Sequence, residues 1–144
     1  MKIAIGCDHA GLELKEKVVK HLHERNYEVI DMGTNTPDSV DYPVYGKKVA
    51  HAVTQGSADF GIVICGTGIG ISIAANKVKG IRAALCHDVF SAKATREHNN
   101  ANILAMGARV IGIGPALEIV DAFLTTPFSE GERHIKRINM LEEE

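Results

Sequence analysis

Short apolar segments alternate with amphipathic segments along the whole chain, and this alternation restricts the possible folds more than any other feature. The apolar segments have the length of buried strands, whereas the amphipathic ones repeat apolar residues at helical spacing, as Leu14, Val18 and Leu22 do. The predicted strands cover 2–6, 27–32, 59–65 and 81–86, with a last strand region at 103–106 and 110–113, interrupted at Gly107. The predicted helices cover about 14–22, 43–54, 72–78, 89–98, 115–124 and 130–141. Because strands that alternate with helices need crossover connections, we predict an α/β fold: a doubly wound, Rossmann-like, five-stranded parallel sheet with helices on both faces.

The size and charge of the chain set its general class. Its 144 residues fit one domain, 1–144, and 45% hydrophobic with 24% charged residues is typical of a globular protein. The net charge of -2 gives no broad positive field for nucleic acid, and no apolar run is long enough to cross a membrane. The start of the chain has no signal-peptide pattern, and three widely spaced cysteines fit reduced thiols better than disulfides. We therefore expect a cytoplasmic protein with no nucleic-acid or membrane partner.

Four polar clusters follow the predicted elements. In a doubly wound sheet, ligands bind beyond the carboxyl ends of the strands. The clusters are Cys7-Asp8-His9, Cys65-Gly66-Thr67, Cys86-His87-Asp88 and His98-Asn99-Asn100. We expect all four to lie at or near that edge, so that the polar chemistry converges there.

The turn Cys65-Gly66-Thr67-Gly68-Ile69-Gly70 follows a strongly apolar predicted strand. Its alternating glycines allow a sharp turn that presents successive backbone N–H groups at the start of a helix, and such a turn binds anions. The anion could be a phosphate or the oxyanion that develops when a proton is removed beside a carbonyl. The sequence leaves both open.

A dinucleotide-binding fingerprint is the main alternative for this turn. The three glycines approximate G-x-G-x-x-G, and Asp88 follows at about the ~20-residue distance of a ribose-binding acid. Against it, the third glycine comes one residue early, the motif follows the third predicted strand, and the chain leaves no room for a substrate domain.

Cys65 itself has two interpretations. A free cysteine at the end of an apolar strand is usually a packing residue. Its position directly before the N–H groups of the turn, however, would stabilise a thiolate that can accept a proton. In that case the thiol and the oxyanion site are neighbours.

The histidines also allow structural interpretations. Asp8 can cap a helix with His9 solvated in its first turn, and His98 can end a helix beside asparagine turns. No C-x-x-C or H-E-x-x-H spacing indicates a metal, and we expect no metal site.

Arg133 and Arg137 are four residues apart and share one face of the last predicted helix. Surface arginines are commonly only solvated. Two guanidinium groups on one face can also bind a phosphate, and Arg109 near the last strand could complete such a site.

Five groups of residues carry a family resemblance over essentially the whole chain. They are Asp8-His9-Ala10-Gly11, Ser39-Val40-Asp41-Tyr42-Pro43, Cys65-Gly66-Thr67-Gly68-Ile69-Gly70, His98-Asn99-Asn100-Ala101-Asn102 and the trio Arg109, Arg133 and Arg137. In this order they resemble the ribose-5-phosphate isomerase B family, which also includes galactose-6-phosphate isomerase subunits and allose-6-phosphate isomerases. The resemblance implies an aldose–ketose isomerase of the pentose phosphate pathway that interconverts ribose 5-phosphate and ribulose 5-phosphate through an enediolate, with no metal or other cofactor. An allose or galactose 6-phosphate as substrate, or a nucleotide-binding module, stays open as an alternative.

The resemblance also implies roles for individual residues. Cys65 would carry the proton between carbons 2 and 1 of the open-chain sugar, with Thr67 beside it, and His98 would help to open the furanose ring. The implied substrate-binding residues are Asp8, His9, Gly66, Gly68, Ile69, Gly70 and Asn99, with the amides from Gly66 to Gly70 stabilising the enediolate. The implied phosphate-binding residues are Arg109, Arg133 and Arg137, assisted by His9.

Family members are dimers or dimer pairs whose sites join two chains. We therefore expect a homodimer or a dimer of dimers, in which the last helix, about 130–141, packs on the partner and brings Arg133 and Arg137 to its site. Two residues depart from the family pattern: Cys7 stands where many relatives have serine, and Val44 where an acidic residue is frequent. A second thiol at Cys7 could make the enzyme sensitive to oxidation.

Overall fold

A five-stranded sheet forms the centre of the computed structural model, which describes residues 1–143. The strands are β1 (Lys2–Cys7), β2 (Glu28–Asp31), β3 (Phe60–Cys65), β4 (Ala83–Leu85) and β5 (Ile103–Gly107). They lie in the order β2-β1-β3-β5-β4, and all four neighbouring pairs are parallel. The predicted fold class is confirmed.

Six α-helices of the described residues cover the sheet: α1 (Leu12–Glu24), α2 (Tyr42–Thr54), α3 (Ile69–Asn76), α4 (Val89–Asn99), α5 (Ile113–Thr125) and α6 (Glu132–Glu142). A 3₁₀ turn over His9–Gly11 precedes α1. Strand side chains alternate between two apolar cores: Ile62 and Ile64 pack with residues of α1 and α5, while Val63 and Cys65 pack with residues of α2 and α3. Within residues 1–143, no helix combines the length and the apolar character that crossing a bilayer requires.

The structure corrects two predicted elements. Residues 110–113, expected to continue the last strand, belong to a turn and to the first residue of α5. The Arg109 amide donates to the carbonyl of Gly66 at 3.0 Å, which bends the chain out of the sheet directly after β5. Helix α3 begins at Ile69, three residues before the predicted start, because the glycine turn itself forms the cap of the helix.

Helix α4 runs from the carboxyl edge of the sheet to its amino edge. Asp88 caps the helix just after β4, and Asn99 ends it shortly before β5. The two edges are well separated, since β3 and β5 pair in register over five residues, a rise of about 13 Å from the first to the last. A residue in the last turn of α4 therefore lies far from the carboxyl ends of the central strands.

Helix α6 belongs to the amino edge as well. It packs against α4, and Glu142 near its end pairs with Arg82, which directly precedes β4, at 2.6 Å. Ser129, just before α6, donates its amide to the carbonyl of Glu97 on α4 at 3.2 Å. These contacts attach the last helix to the last turn of α4.

Candidate active site

The sheet reverses its winding between β1 and β3. The chain leaves β1 toward β2 on one side, and β3 is followed by β5 and β4 on the other, which makes this pair the topological switch point. Asp8 follows β1 and Cys65 ends β3, and the Asp8 amide donates to the carbonyl of Ile64 at 3.2 Å. The predicted clusters at Asp8 and Cys65 therefore meet where doubly wound sheets bind ligands.

Cys65 lies at the centre of this edge and is only 5% exposed. The amide of Gly68 donates to its Sγ at 3.2 Å. Gly68 is also the N-cap of α3, whose amino terminus carries a positive partial charge. The Cys65 sulfur thus accepts a hydrogen bond at the amino terminus of a helix.

The backbone holds the turn in one shape. Gly68 has a φ of 76°, in the left-handed region that favours glycine. A Cβ at this position would lie 2.5 Å from the Leu85 side chain and 2.7 Å from the backbone of Met106. The hydroxyl of Thr67 accepts the Ile69 amide at 3.2 Å, so its hydrogen can donate outward.

Two side chains flank the turn. A Cβ on Gly66 would lie 3.3 Å from Nη1 of Arg109, so this guanidinium lies directly beside the turn. On the other side, the Tyr42 ring approaches Gly70 so closely that a Cβ there would lie 2.6 Å from it. Sequence reasoning gave Tyr42 no role, although it lies in one of the segments that carry the family resemblance.

Asp8 and His9 adopt well-defined roles after β1. Oδ1 of Asp8 accepts the amides of Ala10 and Gly11 at 3.0 and 3.2 Å, so the carboxylate caps the 3₁₀ turn. Nδ1 of His9 accepts the amide of Val40 at 3.2 Å. Neutral His9 therefore carries its proton on Nε2, from which it can donate to a ligand.

The other two thiols are buried and inert. Burial raises the pKa of Cys7 to about 12 and that of Cys86 to about 11. A thiol that stays protonated at neutral pH is a poor nucleophile and a poor target for oxidation. The structure thus gives no support to the expectation that Cys7 makes the protein sensitive to oxidation.

His98 and Asn99 do not join the carboxyl edge, and the expectation that they would is wrong. They lie in the last turn of α4, and the carbonyls of Asn99 and Asn100 accept the Arg82 guanidinium at 2.9 and 3.0 Å beside the start of β4. The reason is directional: a helix that follows a parallel strand runs back toward the amino edge. Within one chain, the strand length separates His98 from Cys65, a distance of about 13 Å or more.

Arg133 and Arg137 accompany His98 at the amino edge. Both are exposed on α6, and His134 between them stacks on His98 with ring centroids 4.5 Å apart. Burial lowers the pKa of His134, and the charges of His98, Arg133 and Arg137 lower it further. The guanidinium groups of Arg133 and Arg137 give this edge the positive charge that attracts a phosphate.

Sequence reasoning missed His134. Arg133 and Arg137 were paired because they are four residues apart. Nothing in that spacing indicates that His134, which lies between them in the sequence, turns toward α4. Only the contact with His98, 36 positions earlier in the numbering, reveals it.

The dinucleotide alternative loses its ribose-binding acid. Asp88 accepts the amide and the hydroxyl of Ser91 at 2.6 and 2.9 Å, and these bonds lower its pKa. It follows β4, which β5 separates from β3 and the glycine turn. Among residues 1–143, no three His, Cys, Asp or Glu side chains converge in the way a metal site requires.

Comparison with known proteins matches residues 3–141 to the ribose/galactose isomerase family. Ribose-5-phosphate isomerase B of Escherichia coli (strain K12) is 53% identical over 140 residues, which cover 97% of this chain and 93% of that protein. The structure of ribose-5-phosphate isomerase B from Clostridium thermocellum aligns with a TM-score of 0.97 at 56% identity, over 99% of this chain and 95% of that one. The structure of the Thermotoga maritima ribose 5-phosphate isomerase also gives 0.97, at 54% identity over 99% and 98% of the two chains.

These matches extend over both sheet edges and every candidate site residue, from Asp8 to Arg137. The matched proteins are more than 50% identical in sequence to this chain, and the two solved structures have nearly the same fold. The chain belongs to the ribose/galactose isomerase family.

Proposed function

We propose that the chain interconverts ribose 5-phosphate and ribulose 5-phosphate by moving a proton between carbons 2 and 1 of the open-chain sugar. The observation that carries this proposal is the nearly buried Cys65 at the switch point, whose Sγ receives the amide of Gly68 at 3.2 Å. The names of the relatives support a pentose phosphate as the substrate. The same names support a place in pentose phosphate metabolism.

In the proposed reaction, the Cys65 thiolate removes the proton from carbon 2. The electron pair forms the double bond between carbons 1 and 2, and the carbonyl electrons move to oxygen 1. The amide of Gly70 at the start of α3 stabilises the enediolate, and the Thr67 hydroxyl, which accepts the Ile69 amide, donates its hydrogen to the sugar oxygens. The thiol then returns the proton to carbon 1, while oxygen 2 loses its hydrogen and oxygen 1 gains one.

The remaining groups at the carboxyl edge are assigned to substrate binding. Asp8 follows β1 at the same point of the sheet and binds a sugar hydroxyl in this proposal. His9 can donate from Nε2, and Arg109 lies beside Gly66, so both can approach the phosphate from the carboxyl edge.

A second copy of the chain supplies the other half of the proposed site. His98, Asn99, Arg133 and Arg137 lie at the amino edge, whereas Cys65 lies at the carboxyl edge. One phosphate group is too small to contact Arg109 at one edge and the α6 arginines at the other edge of a single chain. A homodimer that brings the amino edge of one protomer to the carboxyl edge of its partner joins the two sets.

Exposed apolar side chains support such a dimer. Ile69 and Ile73 share one face of α3 beside the glycine turn and are 51% and 54% exposed, and Phe90 at the start of α4 is 80% exposed. On α6, Met140 and Leu141 are exposed as well. Large apolar side chains grouped at a functional edge are typical of a protein interface. We therefore propose that α6 packs on the partner.

Turnover of ribose 5-phosphate tests the activity directly. We expect ribulose 5-phosphate to form, as followed by NMR, and turnover to persist in excess EDTA because every assigned step uses protein groups. Allose 6-phosphate and galactose 6-phosphate are the comparison substrates, and both should react more slowly. If only a six-carbon substrate reacts, the assignment of a pentose phosphate is refuted. If nucleotides raise the thermal unfolding temperature and no sugar phosphate is turned over, the isomerase function is refuted.

Mixing two inactive variants tests the shared site. Cys65→Ala and His98→Ala each disable a different edge, so a mixed dimer contains one site with both residues intact and one with neither. If dimers form at random, half are mixed, and activity should return to about a quarter of the wild-type value. If each chain forms a whole site by itself, the mixture stays inactive.

A further inference from the structure

Two imidazole rings from different helices lie face to face at the amino edge. His98 is in the last turn of α4 and His134 is in the first turn of α6. Their centroids are 4.5 Å apart and their planes differ by 14°. This is a stacked pair within the distance range in which aromatic rings attract one another.

The two rings differ in their freedom to move. His98 is exposed, whereas His134 is 9% exposed. Gly131 lies so close to the His134 ring that a Cβ there would be 3.1 Å from Cδ2, and Nε2 of His134 lies 3.5 Å from Nε of Arg133, its donor. His134 is therefore the confined member of the pair, and His98 rests on it.

The segment before α6 ties this support to the helix that carries His98. The Ser129 amide donates to the Glu97 carbonyl at 3.2 Å, and Nε of Arg96 donates to the Thr126 carbonyl at 3.2 Å. Both contacts reach α4 within two residues of His98. One backbone and one side-chain contact thus hold the start of α6 next to the turn of α4 that carries His98.

The charges around the pair keep His134 neutral. Arg133 and Arg137 face it from α6, and His98 faces it from α4. Burial and these three groups lower its pKa, which favours the neutral form of His134. His98 is thus stacked on a neutral aromatic ring.

We propose that His134 is a positioning residue whose stacked ring holds the imidazole of His98 in the orientation that opens the furanose ring. The proposal rests on the isomerase function above, in which His98 opens the ring. In that step the bond between carbon 1 and the ring oxygen breaks, and the ring oxygen takes a proton from His98. The hydroxyl on carbon 1 releases one as the aldehyde forms.

This role can be separated from proton transfer by the choice of substrate. Ribulose 5-phosphate carries its phosphate on the oxygen that would close a furanose, so it is an open chain. Exchange of its carbon-1 protons with solvent needs Cys65 but no ring opening. A defect in the positioning of His98 should therefore slow the reaction of the aldose and spare exchange in the ketose.

The experiment uses the full-length protein with His134→Ala, His134→Gln and His134→Phe. One readout is kcat/KM for ribose 5-phosphate, and the other is deuterium uptake at carbon 1 of ribulose 5-phosphate in D₂O, followed by NMR. We expect the Ala and Gln variants to lose roughly tenfold in the first readout and to keep the second, while the Phe variant retains both because its ring can stack. Competition by inorganic phosphate should not change, since Arg133 and Arg137 remain.

Three results would overturn the proposal: unchanged aldose turnover in the Ala and Gln variants, equal loss of both readouts in folded protein, or a Phe variant no better than Ala. Thermal unfolding identifies any variant that does not fold. The folded variants are then the ones whose two readouts test the proposal. A wild-type protein that does not isomerise ribose 5-phosphate would instead refute the proposed function.

Discussion

The two edges of the sheet hold their polar groups by different means. At the carboxyl edge, the turn after β3 is fixed by backbone geometry, and Cys65 receives its hydrogen bond from a glycine three residues away. At the amino edge, His98, Arg133 and Arg137 are exposed side chains on α4 and α6. The carboxyl edge is therefore organised by one tight turn, whereas the amino edge presents exposed side chains of two helices, which the proposed dimer sets against the partner's carboxyl edge.

This difference separates the expected effects of mutation. Changes at the carboxyl edge should remove chemistry or distort the backbone that supports it, since the reacting groups are part of a tight turn. Changes at the amino edge should weaken binding and the orientation of groups, because exposed charges act over flexible side chains.

Cys65→Ala should abolish most isomerisation and leave folding and sugar-phosphate binding intact. The change removes the proposed base, a role worth about 10²–10⁴-fold in rate, but keeps the amides of the turn. Cys86→Ala is the matched control, since Cys86 is another buried thiol at the end of a strand, with a pKa raised to about 11. Rates compared by NMR in both variants check the prediction, and wild-type turnover of Cys65→Ala would exclude its role.

Gly68→Ala should destabilise the fold and lower activity together. The new Cβ would have to fit at a positive φ and within 2.5 Å of Leu85, which we expect to cost roughly 2–4 kcal/mol in the free energy of unfolding. Gly56→Ala is the control, because Gly56 also has a positive φ, 79°, but nothing within 4 Å of the added atom. It should cost only about 1 kcal/mol. Equal urea midpoints for the two variants would show that the turn is not tightly packed.

Arg137→Ala should weaken substrate binding more than it slows turnover. Loss of a charged hydrogen bond to the phosphate corresponds to about 1.5–3 kcal/mol, seen as an increase in KM. Lys136→Ala removes the same charge from the neighbouring exposed position of α6 and should leave KM nearly unchanged. Equal competition by unphosphorylated ribose and by the phosphate ester would contradict the assignment of the arginines.

The alternation of apolar and amphipathic segments was sufficient to predict the fold class, because crossover connections dictate a parallel sheet. The strand predicted at 110–113 was wrong because the chain there contacts a distant segment. Its residues are apolar, but the amides that follow β5 bond back to the carbonyls of the glycine turn, as that of Arg109 does to Gly66. Such a contact joins positions more than forty residues apart and leaves no trace in periodicity.

The candidate site could be predicted only in part, for a similar reason. Residues that end a strand or directly follow one, as Cys65 and Asp8 do, were correctly placed at the carboxyl edge because topology alone puts them there. His98 was placed at the wrong edge because it ends a helix instead of a strand. The stacking of His98 on His134 depends on how α6 packs against α4, and a single sequence contains no signal for that contact.

The pH dependence of stability gives the smallest effect and tests the amino edge by itself. Burial, with the charges of His98, Arg133 and Arg137, lowers the pKa of His134 below its ordinary value of 6.5. As the pH falls through 6.5, the unfolded chain therefore binds a proton that the native state does not, and the free energy of unfolding decreases until the pH lies below the native pKa. His134→Phe cannot bind this proton. The difference between its urea midpoint and that of the wild type should therefore increase as the pH is lowered from 7 to 5. The carboxylates are the same in both chains, and their titration cancels in the comparison. Parallel pH curves for the two proteins would mean that His134 takes up its proton as readily in the folded state as in the unfolded one, and the neutral support proposed for His98 would not exist.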